Sequence, residues 1–454
     1  MLLSTFLPAC FKADEGPQVK NFLFIIMDTA VADHLAPWGY ERQTTPYLDA
    51  LAEEGFTLIR AYSQAPSTLP STWSIHTGLY PIPKPAEEST SLRIRPGDFT
   101  LADAFKQKGF ATFGFSENPY INAMTGFDQG FDKFTYYRAT IPDNGHTSEL
   151  RDHSATDSLF RHAREAIGSV KEKDQPWYCY IHLLRPHEPF LAPKPLGTQF
   201  MSENVAASEK IEKRILNGMR RKGKAPKKAE LQYLIDSYDG NLAYADFKIG
   251  EFLDWLREEG AFEDTVIVIA SDHGEAFLEH GRFGHGYVLF EELLHVPLIF
   301  HAPEPAGILA GVSTETAEMV DVYPTLAEIF GLETPYPLHG RSLLSGMRGG
   351  SFTPKLATFA QTLDTNMLSV RIGNLKMICT ADQDTRELSN FTIYDLEKDP
   401  GERNNLYTLD YPLDEFIMAA EEYMARWPVD STAPEVNLEE QLREELEAIG
   451  YLGN

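Results

Sequence analysis

Three long apolar runs, each followed at once by polar side chains, place the strongest constraint on the fold. The runs cover residues 21–27, 177–184 and 265–270 and read NFLFIIM, WYCYIHLL and TVIVIA. Runs of this length without polar alternation are typical of strands buried on both faces, as in a parallel sheet covered by helices. Helix-like segments lie between them. The sequence therefore predicts an α/β fold, with a large, mostly parallel central sheet sandwiched by helices.

Composition limits the classes of partner. The chain has 454 residues, of which 43% are hydrophobic, and this is enough to bury a large core. Its formal net charge of −27 argues against nucleic acid as a partner, because a surface of that sign repels phosphate backbones. No apolar run approaches the ~20 residues of a transmembrane helix. We therefore expect no nucleic-acid partner and no membrane span.

The N-terminal segment MLLSTFLPAC is similar to the end of a bacterial lipoprotein signal. Its apolar run is short and no basic residue precedes it, so a truncated signal, a chance match and a disordered tail all remain open. We predict an exported, periplasmic protein, with a lipid anchor on Cys10 or a cytoplasmic location as alternatives. Together with Cys179 and Cys379, Cys10 forms neither a disulfide framework nor a metal-binding spacing.

The stretch APSTLPSTWSIHTGLYP, residues 65–81, is the first candidate for a catalytic site. Pro70 suits the first turn of a helix and Gly78 suits its end, so the pattern predicts a short helix with Thr68 at its N-terminus. Unpaired N–H groups and the positive end of the helix dipole favour an anion beside Thr68, as in a bound sulfate or phosphate ester. An ordinary helix cap is the competing interpretation.

Acidic and imidazole side chains follow two of the apolar runs. Asp28 comes directly after the first, and Asp272 with His273 follows the third. Because open α/β sheets bind ligands at the carboxyl ends of their strands, we expect these side chains to meet at one sheet edge. Asp28 alone is equally suited to capping the next turn. With the Thr68 oxygen they form a mixed oxygen and nitrogen donor set, which favours zinc or manganese over calcium or magnesium.

These motifs resemble the signature of the sulfatase family in the alkaline phosphatase superfamily, which is a Cys or Ser, one residue, Pro-Ser-Arg and later Thr-Gly. The matching residues are Thr68, Pro70, Ser71, Thr77 and Gly78. Thr68 replaces the Cys or Ser that the family converts to formylglycine, Thr72 replaces the Arg, and Thr29 replaces a second Asp after the first strand. Threonine cannot be oxidised to that aldehyde. We therefore expect no formylglycine and an unmodified hydroxyl nucleophile, as in the phosphate-type branch.

The resemblance also implies roles for residues in later loops. His187 matches a histidine that contacts the anionic group or a second metal, and Arg185, which replaces an Asp, is a candidate for bidentate anion binding. His285 matches a histidine that phospho-members place at the substrate or a second metal, and His280 is a weaker candidate. Asn118 follows another predicted strand, where it either faces the site or forms a turn.

The resemblance divides the chain into three segments. We predict a leader or disordered tail over 1–18 and a sulfatase-like catalytic domain over 19–350. A C-terminal subdomain with a short antiparallel sheet and a terminal helix follows over 351–454. Within this last segment, Lys376 is expected at the surface, and a position at the mouth of the site is the alternative.

From these features we predict a metal-dependent hydrolase of phosphate, phosphonate or sulfate esters. Asp28, Asp272 and His273 would hold a divalent ion that activates Thr68, which forms a covalent threonyl ester. His187 and His285 would position the ester, protonate the leaving oxygen or complete a second metal site. The alternatives are a true sulfuric ester hydrolase of sulfated carbohydrates or aryl sulfates, a phosphoethanolamine-type transferase, and an inactive anion-binding homologue.

Overall fold

The structure, a computed structural model, describes residues 19–81, 92–137, 153–171, 173–202, 209–222 and 224–427. The predicted leader over 1–18 and the lipid anchor on Cys10 lie outside the described residues. Among the helices described, none combines the length and apolar character needed to cross a bilayer.

The described residues form strands at the following positions. They are β1 (Asn21–Met27), β2 (Phe56–Tyr62), β3 (Ala111–Ser116), β4 (Lys133–Tyr136), β5 (Trp177–Leu183), β6 (Thr265–Ala270), β7 (Ala276–Phe277), β8 (Phe283–Gly284), β9 (His295–Val296), β10 (Leu298–His301), β11 (Gly311–Glu318), β12 (Thr358–Gln361), β13 (Met367–Ile372), β14 (Leu375–Ala381) and β15 (Leu388–Asp395).

The α-helices of the same residues lie between and after these strands. They are α1 (Pro46–Glu54), α2 (Thr68–Thr77), α3 (Leu101–Gln107), α4 (His153–Lys171), α5 (Glu209–Lys222), α6 (Lys228–Glu258), α7 (Glu291–Leu294), α8 (Val322–Phe330), α9 (Leu344–Met347) and α10 (Asp414–Met424).

The central sheet has the strand order β11-β2-β10-β6-β1-β5-β3-β4, and β9 pairs with β2. Strands β6, β1, β5, β3 and β4 run parallel, as do β2 and β11, whereas β10 is antiparallel to both of its neighbours. A second, antiparallel sheet follows in the order β12-β13-β14-β15. The prediction of an α/β fold with a large, mostly parallel sheet is confirmed.

The two faces of β1 explain why its sequence is apolar from Phe22 to Met27. Leu23, Ile25 and Met27 pack into a core that contains residues of α4 and α6, whereas Phe22 and Phe24 pack into a second core with α3 and α8. Alternate residues of a strand point to opposite faces, so helices on both faces require an unbroken apolar run. The strand boundaries predicted for β1 and β6 coincide with those of the structure.

The prediction for Lys376 is wrong. This residue lies on β14 with 1% of its surface exposed, and its ammonium group forms ion pairs with Glu291 and Glu402. Both partners are distant in sequence, so nothing local to Lys376 indicates its burial. The C-terminal sheet also packs its apolar side chains against α10.

Candidate active site

Four neighbouring parallel strands bring polar side chains to one edge of the central sheet. Asp28 follows β1, Asn118 follows β3, Asp272 follows β6, and His182 is the sixth residue of β5. The register pairs Ile26 of β1 with both His182 and Ala270, so the side chains lie at the same level of the sheet. All four are completely buried. The meeting of Asp28 and Asp272 at a strand edge agrees with the sequence-based expectation.

Backbone contacts orient the carboxylate of Asp272. Its Oδ1 accepts hydrogen bonds from the backbone N–H of Thr29, at 3.2 Å, and of His273, at 3.0 Å. Its Oδ2 lies 3.6 Å from His273 Nε2 and 3.9 Å from His182 Nε2. One oxygen is therefore occupied by the backbone, and the other faces two imidazoles.

Asn118 holds the second carboxylate, that of Asp28. Its side-chain amide donates to Asp28 Oδ2, while its own Oδ1 accepts the backbone N–H of Tyr120 at 2.7 Å. The contact with Tyr120 fixes the orientation of the amide, so its N–H group must point to Asp28. Asp28 Oδ1 lies 3.7 Å from His273 Nε2. The structure thus places Asn118 against a carboxylate of the cluster.

Thr68 is the first residue of α2 and is buried. Its Oγ1 lies 3.1 Å from Nε2 of His273, whose Nδ1 lies 2.9 Å from the carbonyl oxygen of Gly274. A carbonyl can only accept, so Nδ1 carries a proton, and in neutral His273 the Nε2 lone pair faces Thr68. The predicted helix, with Thr68 at its start and Gly78 as its left-handed stop, is confirmed.

His182 was missed by the sequence analysis, which treated it as part of an apolar strand. Its Nδ1 lies 2.8 Å from the Tyr180 hydroxyl, and burial lowers the pKa of His182 to about 4, although the Asp272 carboxylate opposes this shift. The ring is therefore neutral at physiological pH and retains a nitrogen lone pair. One polar residue near the end of an apolar run was the only available signal.

The chemistry of this cluster fits a divalent cation. Asp28, His182 and Asp272 each offer one ligand atom, and these atoms all lie within 4.8 Å of one another. Within the described chain, His182 Nε2 and Asp272 Oδ2 are buried without a hydrogen-bond partner. Buried groups of this kind are costly unless a charge or donor compensates them. A mixed set of carboxylate oxygens and imidazole nitrogens is the type that zinc and manganese accept.

Two further histidines approach the cluster from loops. The rings of His285 and His273 have centroids 4.6 Å apart, and those of His285 and His187 are 5.0 Å apart. His285 Nδ1 lies 3.3 Å from both carboxylate oxygens of buried Glu275, and His187 Nδ1 lies 2.6 Å from the Glu188 carbonyl oxygen. The structure therefore places His285 beside His273 and His187 beside His285, and it adds Glu275, for which the sequence predicted no role.

Arg185 and His280 make contacts of a different kind. The guanidinium of buried Arg185 donates to Asn241 and lies 4.8 Å from the ring centroid of Tyr244, both on α6. His280 Nδ1 lies 2.8 Å from Glu292 Oε1, and its Nε2 lies 3.2 Å from the carbonyl oxygen of Glu402. The described contacts of His280 are thus with α7 and the C-terminal segment.

Known proteins resemble this chain over most of its length. The sequence model of the family described as Sulfatase matches residues 20–332. An arylsulfatase from Clostridium perfringens (strain 13 / Type A) is 26% identical over 385 residues, covering 71% of this chain and 77% of the relative. The multifunctional alkaline phosphatase superfamily protein PehA from Trinickia caryophylli is 25% identical over 403 residues, covering 73% and 77% respectively.

Solved structures share the fold over nearly the whole chain. The phosphonate monoester hydrolase of Agrobacterium radiobacter aligns with 89% of this chain and 95% of its own, with a TM-score of 0.68 and 20% identity. A structure in complex with its substrate D-glucosamine-2-N,6-O-disulfate aligns with 95% of this chain and 98% of its own, with a TM-score of 0.70 and 20% identity.

Proposed function

The chain belongs to the sulfatase family, and we propose that it is a metal-dependent hydrolase of phosphate or phosphonate esters in which Thr68 is the nucleophile. The observation that carries this proposal is the position of Thr68. Its hydroxyl lies at the start of α2, 3.1 Å from His273 Nε2, and this nitrogen lies 3.7 Å from Asp28 Oδ1 and 3.6 Å from Asp272 Oδ2. A nucleophilic hydroxyl needs a neighbouring group that stabilises its deprotonated form.

Asp28, Asp272, His273 and the Thr68 oxygen are the proposed metal ligands, and His182 is a further donor. When bound there, a divalent ion would lower the pKa of the Thr68 hydroxyl and offset negative charge on the ester oxygens. The donor set favours zinc or manganese, with calcium or magnesium as alternatives. In neutral His273 the Nε2 lone pair faces carboxylate oxygens at 3.6 and 3.7 Å. Such an arrangement favours a cation at the centre.

The remaining steps use side chains of the chain itself. Thr68 loses its hydroxyl proton to solvent, and its alkoxide attacks phosphorus. The bond between phosphorus and the ester oxygen then breaks as that oxygen takes a proton from His285 Nε2. Glu275 supports this role, since its carboxylate lies beside His285 Nδ1 and favours the imidazolium that donates the proton. Water then attacks the threonyl ester and gives one proton to His285, so that Thr68 leaves as the alkoxide and the phosphate or phosphonate product is released. The His187 ring lies 5.0 Å from that of His285, where it would position the ester.

Sulfate esters are the second candidate substrates. The arylsulfatase relative and the fold shared with a protein bound to a disulfated glucosamine favour them. The fold shared with a phosphonate monoester hydrolase and the similarity to PehA favour phospho-esters. The side chain at position 68 favours phospho-esters, because threonine cannot supply formylglycine and an unmodified alkoxide is typical of the phosphate-type branch.

The test is turnover of matched aryl sulfate, phosphate monoester, phosphodiester and phosphonate monoester substrates by protein of measured metal content. Thr68→Ala removes the nucleophile, and Thr68→Ser retains a hydroxyl at the same position. Thr77→Ala is the matched control, because Thr77 lies at the other end of the same helix and bonds to the Trp73 carbonyl. Mass analysis of quenched protein identifies an ester on the peptide that contains Thr68.

We expect a phospho-ester preference that is lost in Thr68→Ala, retained in part in Thr68→Ser and unchanged in Thr77→Ala. A sulfate preference with the same mutant pattern would keep the threonine mechanism and replace the substrate class. Full activity of Thr68→Ala would refute the proposed nucleophile.

A further inference from the structure

Buried charges join the C-terminal sheet to α7. Lys376 Nζ on β14 lies 2.8 Å from Glu291 Oε1 and 2.8 Å from Glu402 Oε1. Arg371 on β13 also donates to Glu291, and its guanidinium lies 3.6 Å from the centroid of the Tyr62 ring. The four charged groups, two cations and two anions, balance within the protein. Removing one member of such a set leaves a buried charge without compensation.

Glu402 makes two further contacts with the catalytic domain. Its Oε2 accepts the backbone N–H of Glu291, the first residue of α7, at 2.7 Å, and its carbonyl oxygen accepts a hydrogen bond from His280 Nε2. Its φ angle of 52° lies in the left-handed region, which residues with side chains rarely adopt. The contacts on both sides of Glu402 hold this conformation.

Helix α7 in turn fixes the peptide that follows His273. The backbone N–H of Gly274 donates to the carbonyl oxygen of Leu293 at 2.9 Å. A Cβ atom at Gly274 would lie 2.1 Å from the carbonyl oxygen of Glu292, so the two backbones are in direct contact. The carbonyl oxygen of Gly274 accepts Nδ1–H of His273, whose Nε2 faces Thr68. A shift of α7 would therefore move the His273 ring.

We propose that Lys376 and Glu402 are positioning residues for the active site. They hold α7, which holds Gly274, which sets the orientation of His273 toward Thr68. The C-terminal sheet contributes to the geometry of the nucleophile through this series of contacts. The expected effect of these residues on turnover rests on the proposed function. Their expected effect on the order of the segment 271–277 does not.

Two single variants that each remove one charge, and the double variant that combines them, test the proposal. Glu402→Gln keeps an oxygen that accepts the Glu291 N–H but removes the negative charge, and Lys376→Met removes the positive charge. The double variant removes one charge of each sign. Lys398→Met is the matched control, because the Lys398 side chain is 81% exposed and pairs with Asp395 of β15. Each protein is examined by amide hydrogen exchange of the segment 271–277, by kcat and KM, and by thermal unfolding.

We expect each single variant to fold, to exchange amides over 271–277 faster by roughly tenfold, and to lose kcat by about 10- to 100-fold with little change in KM. The double variant should recover both properties, and Lys398→Met should match the wild type. Folded single variants with wild-type exchange, or with faster exchange and wild-type kcat, would overturn the proposal. If the wild type hydrolyses none of the esters, the proposed function fails, and the exchange data alone decide whether this coupling exists.

Discussion

Thr68 and His273 are 205 residues apart in the sequence, yet Thr68 Oγ1 lies 3.1 Å from His273 Nε2. Two local features produce this approach. Thr68 begins α2, and His273 follows the buried strand β6 with its Nδ1–H bonded to the Gly274 carbonyl. The imidazole cannot rotate without losing that bond. Its Nε2 atom is therefore held between the hydroxyl and the carboxylates of Asp28 and Asp272.

His273→Asn tests whether this nitrogen sets the metal preference. Asparagine offers an amide oxygen, which is a harder metal ligand than the imidazole nitrogen. We expect the Mn²⁺ or Zn²⁺ affinity to fall by at least about tenfold, while the Ca²⁺ affinity changes less. Calorimetric titration of metal-free protein measures both quantities.

His301→Asn is the control for that substitution. His301 is also a largely buried histidine of the central sheet, but it pairs with Ile267, toward the opposite end of β6. Equal Mn²⁺ affinities in wild-type protein and in His273→Asn would show that this imidazole is not a ligand.

The activity of His285→Gln on esters with different leaving groups tests whether His285 is the general acid. Alkyl leaving groups need a proton as they depart, whereas nitrophenolate does not. We therefore expect kcat/KM for an alkyl ester to fall about 10²- to 10⁴-fold and that for a nitrophenyl ester to fall much less. Glu275→Gln should act in the same direction with a smaller effect, because the imidazole loses its carboxylate partner.

The control is His162→Gln, because His162 lies on α4 and bonds to the Tyr137 hydroxyl. An equal loss for alkyl and nitrophenyl esters in His285→Gln would contradict proton donation. That result would leave His285 as a residue that binds the ester.

Sequence patterns predicted the parts of the fold that depend on local chemistry. The strands β1 and β6 were predicted to the residue, because helices on both faces require an unbroken apolar run that polar residues terminate. The same boundaries placed Asp28 and Asp272 at strand ends. Since parallel strands share one carboxyl edge, their meeting at that edge followed from the boundaries.

Strand register and charge pairs between distant segments could not be predicted from local sequence patterns. His182 joins the cluster because Ile26 pairs with it across β1 and β5, and strand register cannot be deduced from either strand alone. Lys376 is buried because Glu291 and Glu402 approach it from separate segments. Lysine is rarely buried unless it is paired, and the sequence around Lys376 shows no partner. The incorrect prediction of an exposed Lys376 follows from this general tendency.

Gly274→Ala should destabilise the protein because of a single backbone contact. The added Cβ would lie 2.1 Å from the Glu292 carbonyl oxygen, so α7 or the peptide after His273 must move. We expect a loss of about 1–3 kcal/mol in the free energy of unfolding, together with weaker metal binding. Urea denaturation measures the first quantity and calorimetry the second.

Gly168→Ala is the comparison for that variant. Gly168 lies inside α4, where an added Cβ meets no heavy atom within 4 Å, so alanine should stabilise the helix by roughly 0.5–1 kcal/mol. If Gly274→Ala were as stable as the wild type and bound metal normally, the close packing of α7 on this peptide would not be required.

The pH dependence of stability should have a component from His295. Its Nδ1 lies 3.3 Å from Asp33 Oδ1 and its Nε2 lies 2.7 Å from the carbonyl oxygen of Ile59, so both nitrogens face acceptors. Burial alone would lower the pKa of His295, but the hydrogen bond and charge of Asp33, with the Glu291 carboxylate, raise it above the usual 6.5. Proton binding to the folded state is therefore favoured, and the imidazolium stabilises the protein.

The sign of the effect follows from linkage. The contribution of His295 is fully present below pH 6.5 and is lost as the pH rises through the folded-state pKa. Asp33 does not interfere in this window, since the hydrogen bond from His295 lowers its pKa below 3.8 and its own contribution is lost only in acid. We expect the pair to contribute about 0.5–1 kcal/mol to the free energy of unfolding, because the Asp33 side chain is 72% exposed and solvent screens the interaction.

Urea denaturation between pH 6 and 8.5 measures this contribution as a difference between wild-type protein and His295→Gln. The wild type should lose free energy of unfolding relative to the variant as the pH rises, and the difference should shrink in high salt, which screens the exposed carboxylate. His162→Gln should give the wild-type slope. Parallel curves for wild type and His295→Gln would mean that His295 is neutral throughout this range, so Asp33 and Ile59 would not hold an imidazolium at the edge of the sheet.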